Sequence, residues 1–220
     1  SIINLAIKEH GLEGTNGFLG TFIPDGLREK TLRPIPVEVI RDIQIKCMEL
    51  DDDLRWLIAL LSDTGMRLGE AVGLLKSDII LDIVTPHLNL VPHPWRRLKT
   101  SGSERKIPLV GASLWSATRI KQSDPTNQFA FPRYCNEQLH NSNSASAALN
   151  KWLRTHAPEG CVVHSFRHSL RDRLRAVECH KEIIDQIGGW SSSDVGESYG
   201  GGFQLSNVKN WMNNLLLSTS

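Results

Sequence analysis

The segment from residue 54 to residue 61 is apolar at every position except Arg55, and this segment constrains the fold more than any other feature. Its composition predicts a helix that is buried in a protein core. Asp63, Thr64 and Gly65 follow, and a glycine can adopt the left-handed conformation that ends many helices. The segment is too short to cross a bilayer, which takes about 20 apolar residues. We therefore expect a globular protein without membrane contact.

Apolar residues recur near helical spacing in many other parts of the chain. The further helices predicted in this way cover residues 37–50, 68–75, 114–121, 142–156, 164–177, 181–187 and 205–217. Three short strands are predicted at residues 79–84, 87–91 and 105–110. The predicted fold class is therefore mainly α with a small antiparallel β-sheet, an α+β arrangement.

The first 30 residues differ from the rest of the chain. Residues 1–10 carry apolar side chains that fit the end of a helix, and residues 11–30 are rich in glycine, as in a linker. We expect residues 1–30 to be an N-terminal appendage and residues 31–220 to be the main domain. Because the sequence begins at Ser1 without a methionine, we expect it to be a fragment of a longer protein.

Basic residues are unevenly distributed, although the net charge is only +1. They gather in two stretches, formed by Arg96, Arg97, Lys99, Arg105 and Lys106 and by Lys151, Arg154, Arg167, Arg171, Arg173, Arg175 and Lys181. This segregation is compatible with one positive face on a near-neutral protein, but the charges alone favour a mixed, solvated surface. The total charge alone does not indicate a nucleic-acid binder.

The four cysteines, Cys47, Cys135, Cys161 and Cys179, are scattered and form no CxxC pair. Paired spacing is the usual signal of a metal site or of a disulfide framework. We therefore expect free thiols in a reducing cytosol.

The first candidate for chemistry is Arg67, at the start of a predicted helix just after Gly65. A guanidinium can bind two phosphate oxygens as a fork, which a lysine ammonium cannot do. Glu70 lies three residues later, on the same helix face, and can hold that fork in place. The alternative is an ordinary surface ion pair at i,i+3 spacing, which contributes little stability.

The second candidate is the pair His164 and Arg167, which share one face if a helix begins near residue 164. Two donors then converge where a phosphate can bind. His168 and Arg171 extend this stripe, and the alternative is a solvated basic face. Two histidines at i,i+4 spacing also occur in zinc sites, but the acidic residue of HExxH and a third ligand are missing. We expect no metal.

Three further residues stand out singly. Lys99 lies in a turn between two predicted strands, where its ammonium can reach a DNA groove and deliver a proton. Trp190 follows two glycines, and its indole N–H donates a hydrogen bond from a rigid ring. Tyr199 lies in a polar, glycine-flanked stretch, where clustered arginines would favour the phenolate. Each also has an ordinary structural explanation, as an exposed lysine, a core tryptophan or a half-buried loop tyrosine.

The order of these residues resembles the tyrosine recombinase family, which includes the phage integrases. Arg67 lies in the string TGMRLGE and Arg167 in the string HSFRH, and Lys99 falls between them in the sequence. Trp190 lies in the string IGGWS, and Tyr199 follows it nine residues later. The resemblance extends from about Pro34 to the C-terminus. It implies the mainly α catalytic fold of that family.

The resemblance also implies a role for each residue. Arg67 and Arg167 would bind the scissile phosphate, with Glu70 supporting Arg67. His164 and Trp190 would donate hydrogen bonds to the phosphate, although many family members have histidine where this chain has Trp190. Lys99 would protonate the leaving 5′-oxygen. Tyr199 would attack and form a 3′-phosphotyrosyl link, with no metal or other cofactor.

The family resemblance further implies double-stranded DNA attachment sites as substrate and a synaptic tetramer on DNA, with accessory DNA-bending proteins as possible partners. Residues 1–30 would then end a helical core-binding domain and its linker. The location implied is the cytoplasm of a bacterial host, at the nucleoid, where a phage or prophage genome is integrated or excised. Two alternatives remain open: a type IB topoisomerase, which relaxes DNA, and a DNA-binding module in which Tyr199 is idle.

Overall fold

The computed structural model describes residues 2–11, 16–17, 19, 33–99, 103–190 and 202–217. Its contacts divide the chain into two compact units, Ser1–Thr31 and Leu32–Ser220. In the first unit, helix α1 covers Ile2–Glu9, and the side-chain amide of Asn16 donates to Asn4 at 2.8 Å. Among the described residues, no helix is both long enough and apolar enough to span a membrane.

The second unit is mainly helical with one small sheet, which confirms the predicted fold class. Its helices are α2 (Val37–Leu50), α3 (Asp53–Thr64), α4 (Leu68–Val72), α5 (Gly111–Gln122), α6 (Ser142–Leu153), α7 (Ser165–Ala176), α8 (Lys181–Gly188) and α9 (Leu205–Leu217). The strands are β1 (Ile79–Ile80), β2 (His87–Leu90) and β3 (Arg105–Pro108). They form an antiparallel sheet in the order β1-β2-β3, in which Leu88 pairs with Ile79 on one side and Ile107 on the other.

Helix α3 is the buried helix predicted from its composition, and it packs against α2, α5 and α7. Leu57, Ile58 and Leu60 have no exposed surface. The Asp52 side chain caps the N-terminus by accepting a hydrogen bond from the backbone of Arg55 at 3.0 Å. Gly65 ends the helix in the left-handed conformation at φ 57°. The apolar sequence and its two caps therefore account for the position of the central helix.

A buried carboxylate connects the elements around α3. One oxygen of Asp63 lies 3.1 Å from Nη1 of Arg173 on α7 and accepts from Gln44 on α2. The other accepts from the backbone N–H of Ala112 on α5 at 3.0 Å. A buried charge is tolerated only when it is paired and hydrogen-bonded, and Asp63 meets both conditions.

Several basic residues of the two predicted positive stretches lie inside the protein. Arg96, Arg105, Arg167 and Arg173 are all buried. The side chain of Arg96 donates to the Glu70 carbonyl at 2.7 Å and crosses the backbone at Gly73, where a Cβ atom would lie 2.6 Å from its Cδ. These four arginines therefore do not contribute to an exposed positive face, which was one of the two arrangements that the charge distribution left open. Helix α4 ends at Val72, with Gly73 as its C-cap, and is therefore shorter than the predicted helix over residues 68–75.

The cysteines and the last helix complete the unit. All four cysteines are free and buried, which confirms the predicted thiols, and burial raises the pKa of each one. Helix α9 has the predicted bounds, and it packs on β3 and α7 of its own unit. Val208, Met212 and Leu215 are buried there.

Candidate active site

A single carboxylate, that of Glu70, holds two arginines at the start of α4. Oε1 accepts from Nη1 of Arg67 at 2.7 Å, and Oε2 accepts from the Arg67 backbone at 2.9 Å and from Nη2 of Arg105 at 3.0 Å. Nη1 of Arg67 also donates to the hydroxyl of Ser103 at 3.2 Å. The contact between Arg67 and Glu70 is thus part of a network, whereas an isolated i,i+3 pair would be solvated.

Arg105 is a member of this network that the sequence motifs did not indicate. Its side chain is 4 % exposed, and it also donates to the carbonyls of Ile187 at 2.8 Å and Ser103 at 2.6 Å. Burial alone would raise the pKa of Glu70, but the charge and hydrogen bond of Arg105, with the bonds from Arg67, outweigh burial and lower it. Glu70 is therefore ionised at neutral pH. Its buried carboxylate orients the side chain of Arg67, which is 25 % exposed.

Arg167 lies on the first turn of α7 beside Arg67 and Arg105. Its Nη1 donates to the Gly65 carbonyl at 2.8 Å, whereas its buried Nη2 has no hydrogen-bond partner within the described part of the chain. Burial, followed by the charges of Arg67 and Arg105, lowers the pKa of Arg167 to about 10. The guanidinium is thus still protonated at neutral pH and has an unused donor.

Trp190 follows the end of α8, and its indole lies over two guanidinium groups. Cζ of Arg167 is 4.2 Å from the ring centroid, and Cζ of Arg171 is 4.8 Å from it. Gly188 leaves room for the indole, and Gly189 leaves room for Arg105. A Cβ atom on Gly188 would lie 1.8 Å from Cε3 of the indole, and one on Gly189, at φ 60°, would lie 2.9 Å from Nη1 of Arg105.

His164 precedes α7, one helical turn before Arg167 and His168. Its ring meets that of His168 edge to face, with centroids 5.3 Å apart. The residue is exposed, yet neighbouring atoms desolvate its ring. This desolvation, and then the charges of His168, Arg167, Arg67 and Lys99, lower the pKa of His164 below 6.5. The imidazole is therefore neutral at pH 7 and can donate one hydrogen bond.

Lys99 is exposed in the connection between β2 and β3, and its charge acts on His164. The structure thus brings Arg67, Glu70, Lys99, His164, Arg167 and Trp190 into one region, as the motifs indicated. It adds Arg105, and it places Arg171, which extends the helix face of His164 and Arg167, beside Trp190. Their cationic and N–H groups favour an anion such as a phosphodiester.

The predicted nucleophile, Tyr199, lies outside the described residues. The structure describes the chain again from Gly202. The next residue, Phe203, contacts the side-chain amide of Gln186 on α8. Its oxygen accepts from the Phe203 backbone at 2.8 Å, and its nitrogen donates to the Phe203 carbonyl at 3.1 Å. Tyr134, the other tyrosine of the chain, is 3 % exposed, and burial raises its pKa, so it is a poor nucleophile.

The described residues contain no group of three or more His, Cys, Asp or Glu side chains that could hold a metal ion. His164 and His168 are neighbours, as their spacing predicted. The groups around them are cationic, which disfavours a metal ion at that point.

Solved structures similar to this chain are recombinases and integrases. The crystal structure of XerA recombinase is 14 % identical, with a TM-score of 0.55 over 99 % of this chain and 70 % of that chain. The Tn1549 transposon integrase in complex with circular intermediate DNA is 16 % identical, with a TM-score of 0.55 over 96 % of this chain and 74 % of that chain. XerH site-specific recombinase in a post-cleavage complex is 17 % identical, with a TM-score of 0.50 over 83 % of this chain and 50 % of that chain. These likenesses establish the fold.

No curated protein sequence matches the chain. The family model described as "Phage integrase family" matches residues 35–200, which include all seven residues singled out by their motifs. Both ends of that match lie within the part of the chain to which the recombinase resemblance applied. This chain therefore belongs to the phage integrase family, the tyrosine recombinases.

Proposed function

We propose that this chain is the catalytic part of a site-specific recombinase that cleaves and rejoins double-stranded DNA through Tyr199. The observation that carries the proposal is the buried Nη2 of Arg167, which has no hydrogen-bond partner among the described residues and lies next to the Arg67 guanidinium that Glu70 holds. A buried donor without a partner is costly, and a phosphate oxygen would satisfy it. Membership of a family of DNA strand transferases supports the same conclusion.

The proposed reaction conserves the phosphodiester energy. Tyr199 loses its phenolic proton to solvent, and its oxygen attacks phosphorus. A 3′-phosphotyrosyl bond forms, and the bond to the 5′-oxygen breaks. Lys99 gives a proton to that oxygen, so a 5′-hydroxyl leaves. A 5′-hydroxyl from another duplex then reverses the step, and the reaction needs no nucleotide triphosphate.

The remaining residues stabilise charge and position the phosphate. Arg67 and Arg167 bind the non-bridging oxygens, which carry more negative charge in the transition state. Neutral His164 donates a hydrogen bond to one of them. Trp190 cannot act as an acid or a base, so its part is limited to donation and packing. Arginines thereby supply the charge stabilisation that Mg²⁺ supplies in other phosphoryl transfers, and we propose that no metal or cofactor is used.

The biological setting is also part of the proposal. We propose that the chain serves the integration or excision of a phage or prophage genome at attachment sites, in the bacterial cytoplasm at the nucleoid. A synaptic tetramer on DNA and accessory DNA-bending proteins are the proposed partners. Residues 1–30 would be the end of a helical core-binding domain and its linker, and residues 31–220 the catalytic domain.

The test is a covalent-adduct assay. The host DNA that flanks the gene supplies the substrate, since direct repeats there identify the attachment sites from which nicked duplexes are made. The parent should form a denaturant-resistant protein–DNA adduct in excess chelator, and Tyr199→Phe should bind DNA without forming it. Tyr134→Phe is the matched control, because its buried hydroxyl has no partner among the described residues.

Three results would contradict the proposal. Adduct formation by Tyr199→Phe but not by Tyr134→Phe would show that the nucleophile is Tyr134 and not Tyr199. Relaxation of any supercoiled plasmid, without exchange between two defined sites, would identify a type IB topoisomerase. DNA binding with no adduct in the parent would identify a DNA-binding module.

A further inference from the structure

The indole of Trp190 contacts two arginines, although the proposed phosphate site uses only one of them. Arg167 and Arg171 are one turn apart on α7, and their Cζ atoms lie 4.2 Å and 4.8 Å from the ring centroid. Two like charges so close repel each other, and the charge of Arg171 contributes to the lowered pKa of Arg167. The arrangement is stable only if other groups compensate. The negative face of an indole, the most favourable aromatic partner of a cation, is one such group.

Asp185 on α8 is the other group. Its carboxylate oxygen Oδ1 lies 3.9 Å from Nη2 of Arg171, and Oδ2 lies 3.3 Å from Nζ of Lys181. Its backbone carbonyl accepts the N–H groups of both Gly189 and Trp190, the latter at 3.0 Å. Asp185 therefore contacts Arg171 through its side chain and Trp190 through its backbone.

We propose that Arg171, oriented by Asp185, is a positioning residue that holds the Trp190 indole over Arg167. The proposal rests on the proposed function and extends it to a residue outside the recombinase motifs. The ring contacts three groups, the bare Cα of Gly188 and the guanidinium groups of Arg167 and Arg171. With the ring in place, Arg167 is shielded from water, and its Nη2 stays buried and available to a phosphate oxygen.

This role explains how a tryptophan can occupy a position at which many family members have histidine. A histidine at that position would act through a ring nitrogen, whereas an indole has a single N–H donor. The larger ring also covers a guanidinium face, which removes water from the phosphate-binding donor. The contribution of Trp190 to the phosphate site therefore depends on the orientation of its ring and not on acid–base chemistry. Arg171 helps to fix that orientation.

The test compares Arg171→Ala with Arg175→Ala, whose arginine is exposed on the same helix and lies 3.7 Å from Asp172. The indole N–H signal of Trp190 is identified in an ¹⁵N spectrum by its loss in Trp190→His. We expect Arg171→Ala and Asp185→Asn to shift or broaden that signal, and Arg175→Ala to leave it unchanged. The adduct-formation rate of Arg171→Ala should fall about tenfold, the size of one partly desolvated cation–π contact, with an unchanged Kd for DNA.

A double-mutant cycle separates positioning from other roles. In the Trp190→His background, Arg171→Ala should have no further effect on the rate. An undisturbed indole signal in Arg171→Ala would overturn the proposal. So would an equal loss of rate in both backgrounds, or a weaker Kd for DNA, since both indicate that Arg171 contacts DNA directly. The spectrum needs no DNA, so absence of adduct in the parent would contradict the proposed function alone.

Discussion

Nη2 of Arg105 lies 3.0 Å from Oε2 of Glu70, and both side chains are almost fully buried. The two residues are 35 positions apart, and no sequence motif joins them. Arg105 compensates the desolvation of the carboxylate that holds Arg67. Because that carboxylate lies under the candidate phosphate site, its ionisation contributes both to folding and to the orientation of Arg67.

We expect Glu70→Gln to lower the free energy of unfolding by about 3 kcal/mol at pH 7, because it leaves the buried Arg105 without its counter-ion. The pKa of Glu70 is lower in the folded state than its ordinary 4.5, so the stability from its charge is present above pH 4.5. It is lost as the pH falls through the folded-state value. Urea unfolding should therefore show the difference between parent and variant shrinking below pH 4.5. A difference that does not depend on pH would contradict this. The control is Glu182→Gln, at an exposed position of α8.

How far this site could be foreseen from sequence depends on the range of each interaction. Arg67 and Glu70 are one turn apart, and His164 and Arg167 likewise, so helical periodicity was sufficient to bring them together. The contact of Arg105 with Glu70 spans the whole sheet region, and periodicity contains no information on it. Charge distribution likewise does not tell exposed basic residues from buried ones, and Arg96 is buried against the Glu70 carbonyl.

The helix and strand limits show the same division. Helices α2 and α9 have the bounds predicted from apolar spacing. That spacing is local in sequence, so it can be recognised without knowledge of the residues that the helix packs against. The predicted strand over residues 79–84 is shorter in the structure, where β1 covers only Ile79–Ile80. Strand β2 pairs with these two residues of β1 only. Strand length is set by a partner, and the partner is not local.

We expect His164 to titrate below pH 6.5 in the free protein, because desolvation of its ring by neighbouring atoms and the charges of four neighbouring basic groups disfavour the imidazolium. Its effect on stability has a definite sign. A histidine with a lowered folded-state pKa contributes full stability above 6.5, and that stability is lost as the pH falls from 6.5 through the folded-state value.

NMR titration of the His164 ring gives the measurement. A bound phosphodiester should raise this pKa, since a nearby negative charge favours the imidazolium. His168→Asn should also raise it, because the charge of His168 is the largest electrostatic cause of the shift. A His164 pKa that stays the same in DNA-bound and free protein would show that the imidazole does not meet the phosphate.

Gly188→Ala should disturb the site through Trp190. The added Cβ would lie 1.8 Å from Cε3 of the indole, so the ring must shift from its present position over Arg167. We expect a loss of about 1–3 kcal/mol in the free energy of unfolding, as for other overpacked sites, and a large fall in the rate of adduct formation. The matched control is Gly69→Ala, whose Cβ would meet its nearest neighbour, Cε1 of His140, at 3.5 Å. Equal stability of the two alanine variants would refute the close packing of indole and glycine.

Lys99→Ala tests the proposed general acid. A substrate with sulfur in place of the leaving 5′-oxygen should restore cleavage to the variant, because a thiolate leaves without receiving a proton. Arg67→Ala should remain defective on the same substrate, since its proposed contacts are with non-bridging oxygens. Quantifying adduct on both substrates is enough for this comparison. Failure of sulfur to restore Lys99→Ala selectively would assign the proton to another residue.

The apolar stripe of helix α9 can be buried in two ways, by packing on its own domain or by docking on a neighbouring protomer. Val208, Met212 and Leu215 are each at most 1 % exposed within a single chain, and the helix packs on β3 and α7. Met212→Ala should therefore lower the free energy of unfolding by about 2–5 kcal/mol, whereas Asn214→Ala, on the exposed face, should change it little. The stripe contributes this stability within one chain, so the unfolding midpoint should not depend on protein concentration. A destabilisation that grows on dilution, or none at all, would indicate that α9 finds its partner in a second protomer.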